Sequence, residues 1–496
     1  MDRERSGARQ RLLIHRAISR RWLVSTWRRL VRDVRSAPDG LAVFGFALGL
    51  RLILSLLLSD TFDKDEFVYL ALGRDVAHGA VPYRDFAFFH PPGILFLTAL
   101  LNPLTEIWWP LARLFDVLVD SVTALLVWRI GTYLYDRRTA LAAGVLYAVN
   151  PIVLVSAVRV DQEAIMTLLC VSGLTLLLGK QSSRWAIVAG ACLGTAFWIK
   201  YPMLIFLPVY LLAARRRAIA CLLGFVGVGG MLFLPYLDNI RRLYDETVVW
   251  QLVQRYHTPI VSRLETSVIC WLALNPFAVA AVARRNIKPL WLVSGFASGG
   301  IFIFTASAYP HYFVTVAPFG ALLGAPVASR FVRLGRRAVV LGSMAIAVIL
   351  AGCLNLVTAQ TFIPASHFSA IHPIVQLIDR TSPPGTPILG NRFEFAYLAG
   401  RPWVAHYFWD TRTTVTAQGL DRALRPQSTV VLYPSTSPFS FPAGLKSYLD
   451  SRYAESQRAG AILWLPRAGL AKRDTEDDSR LARDKPMTRV GLTKAL

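Results

Sequence analysis

The sequence predicts a polytopic α-helical membrane protein with a small extracytoplasmic α/β domain near its C-terminal end. Three observations carry this. Hydrophobic residues make up 54% of the 496 and charged residues only 17%, where a soluble surface of this size needs about 25% charge. Apolar runs of about 20 residues recur along most of the chain, each long enough to cross a ~30 Å hydrocarbon core. The basic residues cluster at the ends of those runs, on alternate loops, which is where the positive-inside rule puts them. That placement also excludes nucleic-acid binding as the reason for the net charge of +23.

Residues 1–37 form a basic arm that includes Arg3, Arg5, Arg9, Arg11 and Arg16. No cleavable signal pattern follows it. The arm is expected to lie in the cytoplasm against anionic lipid, with Trp22 and Trp27 at the interface. The membrane domain, 38–360, then opens with a span near 40–59. Further spans are expected near 111–132, 139–157, 164–180, 185–199, 202–214, 218–236, 264–283, 289–308, 312–329 and 338–358. This gives about eleven crossings.

The loop charges agree with that count. Arg137 and Arg138, Lys180 and Arg184, Arg215–Arg217, Arg284 and Arg285, and Arg330 with Arg333 all fall on the side of the N-terminal arm. An odd number of spans then leaves 361–466 outside. The turn signal Pro383-Pro384-Gly385 and the strand candidates Pro387–Gly390, Ser428–Tyr433 and Ala461–Leu465 fall here. Helical stretches near 371–380, 417–424 and 442–452 alternate with them, which reads as a small α/β domain. Residues 467–496 are charged and aperiodic, the composition of a disordered tail. The cysteines Cys170, Cys192, Cys221, Cys270 and Cys353 all lie in apolar spans. They read as small buried hydrophobes, with no metal-ligand spacing.

Chemistry concentrates on the outer loops. The first, 60–110, carries Asp63-Lys64-Asp65-Glu66 directly after a span, then a helical stretch Phe67–His78 ending at Gly79, then His90-Pro91-Pro92. A Pro-Pro step suits the start of the next helix. The second outer loop holds Asp161 and Glu163. Acids there also suit a helix N-terminus. Lys200, Arg255, Arg263 and His311 are basic groups on the same face. Each alone is an ordinary snorkelling residue; together they could hold an anionic headgroup. Trp403, Tyr407, Phe408 and Trp409 belong either to the core of the outer domain or to a surface that stacks on sugars.

The order Asp65-Glu66, His90-Pro91-Pro92, Asp161, Lys200-Tyr201-Pro202 and His311-Tyr312-Phe313 resembles the GT-C glycosyltransferases. The closest branch is the protein O-mannosyltransferase and aminoarabinose-transferase-like group. The resemblance covers roughly residues 40–330, with Ile199 and Tyr201 departing from the pattern around Lys200. It implies the GT-C fold and inverting transfer of a sugar from a polyprenyl-phosphate donor on the outer face. The acceptor would be a lipid, a glycan or a protein. Asp65 would be the general base, with Glu66 beside it and Asp161 supporting the acceptor. His90, Lys200, Arg255, Arg263 and His311 would hold the donor phosphate. Asp63 and Asp65 also form a DxD, which could hold a divalent metal, but Lys64 stands between them and the branch works without metal. No cofactor is therefore expected. A prokaryotic plasma membrane is the expected location. A transporter or lipid flippase is the alternative class, disfavoured by the absence of internal repeats; a non-catalytic subunit on the same scaffold is another.

Overall fold

A computed structural model describes residues 38–254, 258–284, 289–305, 307–330, 366–390, 392–403, 430–432, 445–458 and 461–466, with short pieces between 344 and 352. The basic arm, Arg255, Cys353, most of the span expected at 338–358, the helix expected at 417–424, Tyr407, Phe408, Trp409 and the tail lie outside the described residues. The chain forms two compact units. The first comprises 1–57, 113–234 and 256–356; the second comprises 58–112, 235–255 and 357–496.

In chain order the first elements are α1 (Pro38–Leu57), β1 (Thr61–Phe62), α2 (Lys64–Ala77), α3 (Gly93–Thr105), α4 (Leu111–Leu134), α5 (Arg137–Ala148), α6 (Pro151–Ser156), α7 (Gln162–Gly179) and α8 (Ser183–Ile199). They are followed by α9 (Leu207–Ala214), α10 (Ala218–Met231) and shorter helices up to α11 (Ala317–Ala328). Among the described residues, α1 and α7 can each cross a membrane by length and composition, and up to four spans result if each of two bent helix pairs counts as one.

Several expected spans are broken, and proline explains most of the breaks. The run 139–157 divides at Asn150-Pro151: the Asn150 side chain accepts from the Ile152 amide and Pro151 opens α6. This is the capping chemistry that starts a helix rather than continues one. Pro202 and Pro310 open 3-10 turns at Tyr201–Phe206 and Pro310–Thr315. Residues Ile260–Ala273 and Pro276–Ala283 meet at an 80° bend.

In the first unit, α8 and α10 approach closely along glycines. A Cβ on Gly190 would stand 1.9 Å from the Cys221 carbonyl oxygen, and one on Gly224 would stand 1.9 Å from that of Ile187. Lipid supplies no hydrophobic drive between helices, so small residues that let backbones touch are what hold such a pair. The same unit buries an ionic cluster. Arg51 of α1 is fully buried. Its Nε donates to Asp120 Oδ2 of α4 at 2.6 Å, and its Nη1 donates to the Ala47 carbonyl at 2.9 Å. Tyr147 of α5 donates its hydroxyl to the other Asp120 oxygen. Cys170, Cys192 and Cys221, with Cys270, are free thiols.

The second unit ties the first outer loop to the segment after the membrane domain. β1 pairs antiparallel with β2 (Ser366–His367), matching Thr61 with His367 and Phe62 with Ser366. Asp60 accepts from the amide and hydroxyl of Ser369 at 2.9 and 2.8 Å. Phe62 packs with Phe67 and Phe368 at ring distances of 5.3 and 4.6 Å, and Phe67 with Trp109 and Tyr397 at 5.2 and 5.6 Å. The helices α12 (Phe368–Thr381) and α13 (Phe393–Leu398) follow β2, with β3 (Leu389–Gly390) between them. β4 (Val430–Leu432), β5 (Tyr453–Arg458) and β6 (Ala461–Pro466) complete a four-stranded sheet in the order β3-β4-β6-β5. Only β3 with β4 is parallel. β5 and α13 were not legible in the sequence. Trp403 is buried, donating its indole N–H to the Gly390 carbonyl at 3.2 Å, so this tryptophan belongs to the core.

Removing one partner of a buried ion pair leaves the other charge uncompensated, at about 3–5 kcal/mol. Arg51→Met is expected to lower the unfolding temperature in detergent steeply. The double variant Arg51→Met with Asp120→Leu should recover most of that loss.

Candidate active site

The acidic run of the first outer loop is built as a helix start. Asp63 is the N-cap of α2, and its side chain accepts from the Asp65 amide at 3.0 Å. Glu66 reaches back to accept from the Asp63 amide at 2.8 Å. This reciprocal capping box satisfies two amides that no helical carbonyl can reach. Glu66 is fully buried, while Asp65 and Asp63 are half-buried. The helix ends as its sequence requires, with His78 as C-cap and Gly79 at φ +96°, a left-handed geometry that suits glycine. Asp65 thus stands in the first turn of a helix whose two acidic neighbours both hold backbone.

His90 is placed by a strained residue. Tyr83 is fully buried with φ +63°, a conformation that a bulky side chain adopts only when its surroundings impose it. Its hydroxyl donates to the His90 carbonyl at 2.6 Å, and its ring meets Tyr236 edge-on at 5.4 Å. Glu246, buried, accepts from the Phe88 amide at 2.9 Å and from Arg242 at 2.6 Å. Gln251 donates to the Phe89 carbonyl at 2.6 Å. Residues 83–90 are therefore held by 236–251 through side chains that sequence inspection passed over.

The first unit holds a second cluster. Asp161 caps α7: its Oδ1 accepts from the Gln162 amide at 2.7 Å and its Oδ2 from the Ser156 hydroxyl at 2.8 Å. The Asp161 amide donates to Asp116 Oδ2 of α4 at 3.0 Å. In the first turn of α7, Glu163 is 1% exposed and its Oε1 accepts from Lys200 Nζ at 2.6 Å. His311 Nε2 lies 4.0 Å from the same oxygen. Lys200 Nζ also sits 4.4 Å from the centre of the Tyr312 ring, a cation–π geometry. Burial and the neighbouring Glu163 carboxylate push the Asp161 carboxyl up to about 7, against the pull of His311 and Lys200.

Residues 89–237 match the family of dolichyl-phosphate-mannose-protein mannosyltransferases. A stretch of 149 residues, 30% of this chain, is 28% identical to GPI mannosyltransferase 1 of Saccharomyces cerevisiae; it spans 35%, about a third, of that relative's length. Among solved structures, ArnT from Cupriavidus metallidurans in the apo state superposes with a TM-score of 0.60 at 16% identity, over 86% of this chain and 98% of that one. The same protein bound to undecaprenyl phosphate gives 0.58 at 15%, over 84% and 97%. The oligosaccharyltransferase of Archaeoglobus fulgidus in complex with Zn and sulfate gives 0.53 at 12%, over 79% and 68%. The fold is that of the GT-C glycosyltransferases.

Of the candidate site residues, His90, Asp161 and Lys200 fall inside the matched stretch, while Asp65, Glu66, Arg255, Arg263 and His311 fall outside it. The structure groups Asp161, Lys200 and His311 around Glu163 in the GT-C fold's first unit. Arg263 holds backbone, its Nη1 donating to the carbonyls of Ile303 and Thr305 at 3.1 and 2.5 Å. Asp116, Glu163 and Tyr312 join the cluster without having been singled out as site residues. The signal for Glu163 was its two-residue spacing from Asp161; Asp116, inside an apolar run, offered none beyond being an intramembrane acid.

The DxD fits a metal poorly. Asp63 spends its carboxylate on the helix cap, and no group of three His, Cys, Asp or Glu side chains able to hold a metal occurs among the described residues.

Asp161 carries a testable pH signature. Its native value lies above the ordinary 3.8, so the folded protein binds this proton more tightly than the unfolded chain does. Its contribution to stability is present below pH ~4 and is lost as pH rises through about 7. Thermal unfolding of native protein in detergent should fall from pH 5 to pH 8 by more than that of Asp161→Asn, which keeps the cap.

Proposed function

We propose that this chain is an integral membrane glycosyltransferase that moves a monosaccharide from a polyprenyl-phosphate donor to an acceptor hydroxyl on the extracytoplasmic face, with inversion. The match of residues 89–237 to the dolichyl-phosphate-mannose-protein mannosyltransferases carries the reading. The likeness to an ArnT structure bound to undecaprenyl phosphate supports the donor class. The acceptor is a lipid, a glycan or a protein hydroxyl. The chain crosses the plasma membrane about eleven times, with its N-terminal arm in the cytoplasm and residues 361–466 outside.

In this reading the acceptor oxygen attacks the anomeric carbon from the face opposite the phosphate. Asp65 takes the hydroxyl proton. The bond from the anomeric carbon to the phosphate oxygen breaks, and its electron pair leaves with polyprenyl phosphate. A base in this role has to sit within hydrogen-bond reach of the hydroxyl. Asp65, at a helix start and half-buried, has the exposure that such reach needs. Asp161, already holding the start of α7, supports the acceptor side. Negative charge grows on the departing phosphate, and His90, His311, Arg255 and Arg263 are the cations assigned to it. Lys200 is already neutralised by Glu163.

The test is sugar transfer by purified protein in nanodiscs, with a panel of labelled polyprenyl-phosphate monosaccharides and a crude acceptor extract. Native protein should release polyprenyl phosphate from one donor. Asp65→Asn should lose about 10²–10⁴-fold in kcat while donor binding stays within a few fold. Equal turnover by both proteins would remove Asp65 as the base.

A further inference from the structure

One part of the Glu163 cluster has no partner. Glu163 Oε1 takes Lys200, but Glu163 Oε2 is buried and accepts no hydrogen bond. A carboxylate oxygen kept from water without a donor is a standing cost to the fold. A protonated Asp161 can donate to Glu163; once Asp161 is ionised both its oxygens only accept, and Glu163 Oε2 is left without a donor. Lys200 spends one N–H on Glu163 and shows no second acceptor among the described residues. Both groups line a narrow pocket walled by Met166, Met203, Phe302 and Tyr312. It has room for one group of about the size of a water molecule.

On the glycosyltransferase reading, we propose that this pocket takes a single sugar hydroxyl. The hydroxyl donates a hydrogen bond to Glu163 Oε2 and accepts one from Lys200 Nζ. A hydroxyl is the group of that size that offers both a donor and an acceptor. A phosphate oxygen does not suit the place. The buried pair is neutral overall, and the unspent oxygen of Glu163 repels an anion. Apolar walls refuse a carboxylate for the same reason. Glu163 and Lys200 therefore read one hydroxyl of the sugar and discriminate by its presence.

Two arms test this. In the first, native protein and Glu163→Gln are given mannosyl and glucosyl undecaprenyl phosphates and each of their monodeoxy counterparts, with the acceptor extract held constant. A site built to pair a hydroxyl rejects the analogue that lacks it by large factors. One deoxy position should cost native protein about 100-fold or more in kcat/KM, and Glu163→Gln should shrink that gap to under about 10-fold. In the second arm the donor is intact and the extract is treated with periodate to destroy vicinal diols. A Glu163-dependent loss here instead assigns the hydroxyl to the acceptor. Should the single variant fail to fold, Glu163→Gln with Lys200→Met removes both charges and serves in its place. Selectivity that is the same in native and variant proteins in both arms overturns the inference alone, leaving a pocket for a structural water. No turnover of any donor by native protein overturns the functional reading, and the inference with it.

Discussion

A charge held among apolar helices has to be paired, and the first unit is arranged around that constraint. Two of its buried cations, Arg51 and Lys200, each meet one acid on a different helix. The Arg51–Asp120 pair joins α1 to α4, and Tyr147 extends it to α5. The Lys200–Glu163 pair joins the end of α8 to the start of α7. Such pairs stabilise little when measured against an apolar core of the same shape, yet they are costly to break singly. They therefore fix which helices are neighbours more than how tightly they hold. The two pairs differ in one respect that bears on function. Asp120 has both carboxylate oxygens engaged, whereas Glu163 keeps one without a partner. The first is closed, and the second is the one proposed to take a hydroxyl.

The second unit solves a different problem, which is to hold an outer loop still. The loop is fixed by a two-residue strand pairing, by the Asp60 bonds to Ser369 and by the aromatic group of Phe62, Phe67, Trp109, Phe368 and Tyr397. On that support the capping box of Asp63 and Glu66 sets the first turn of α2, and with it the place of Asp65. Precision of this kind is what a general base needs, because a displacement of about 1 Å is enough to cost two orders of magnitude in rate. The strained Tyr83 and the carboxylate of Glu246 do the same for the stretch that ends at His90.

The sequence by itself determined the membrane class and the acids at two helix starts. These follow from local rules: apolar run length, the side on which Lys and Arg collect, and the short oxygen-bearing side chains that cap helices. Asp63, Glu66 and Asp161 were legible because a cap depends on residues two or three positions away. The breaks at Pro202 and Pro310 fell between expected spans, whereas the expected span 139–157 ran through Pro151. Tertiary structure alone decided that Glu163 receives Lys200 across 37 positions, that Asp120 receives Arg51 across 69, and that residues 366–403 pack on residues 60–67. Partners so far apart in sequence are chosen by which helix faces meet, and no local periodicity records that choice.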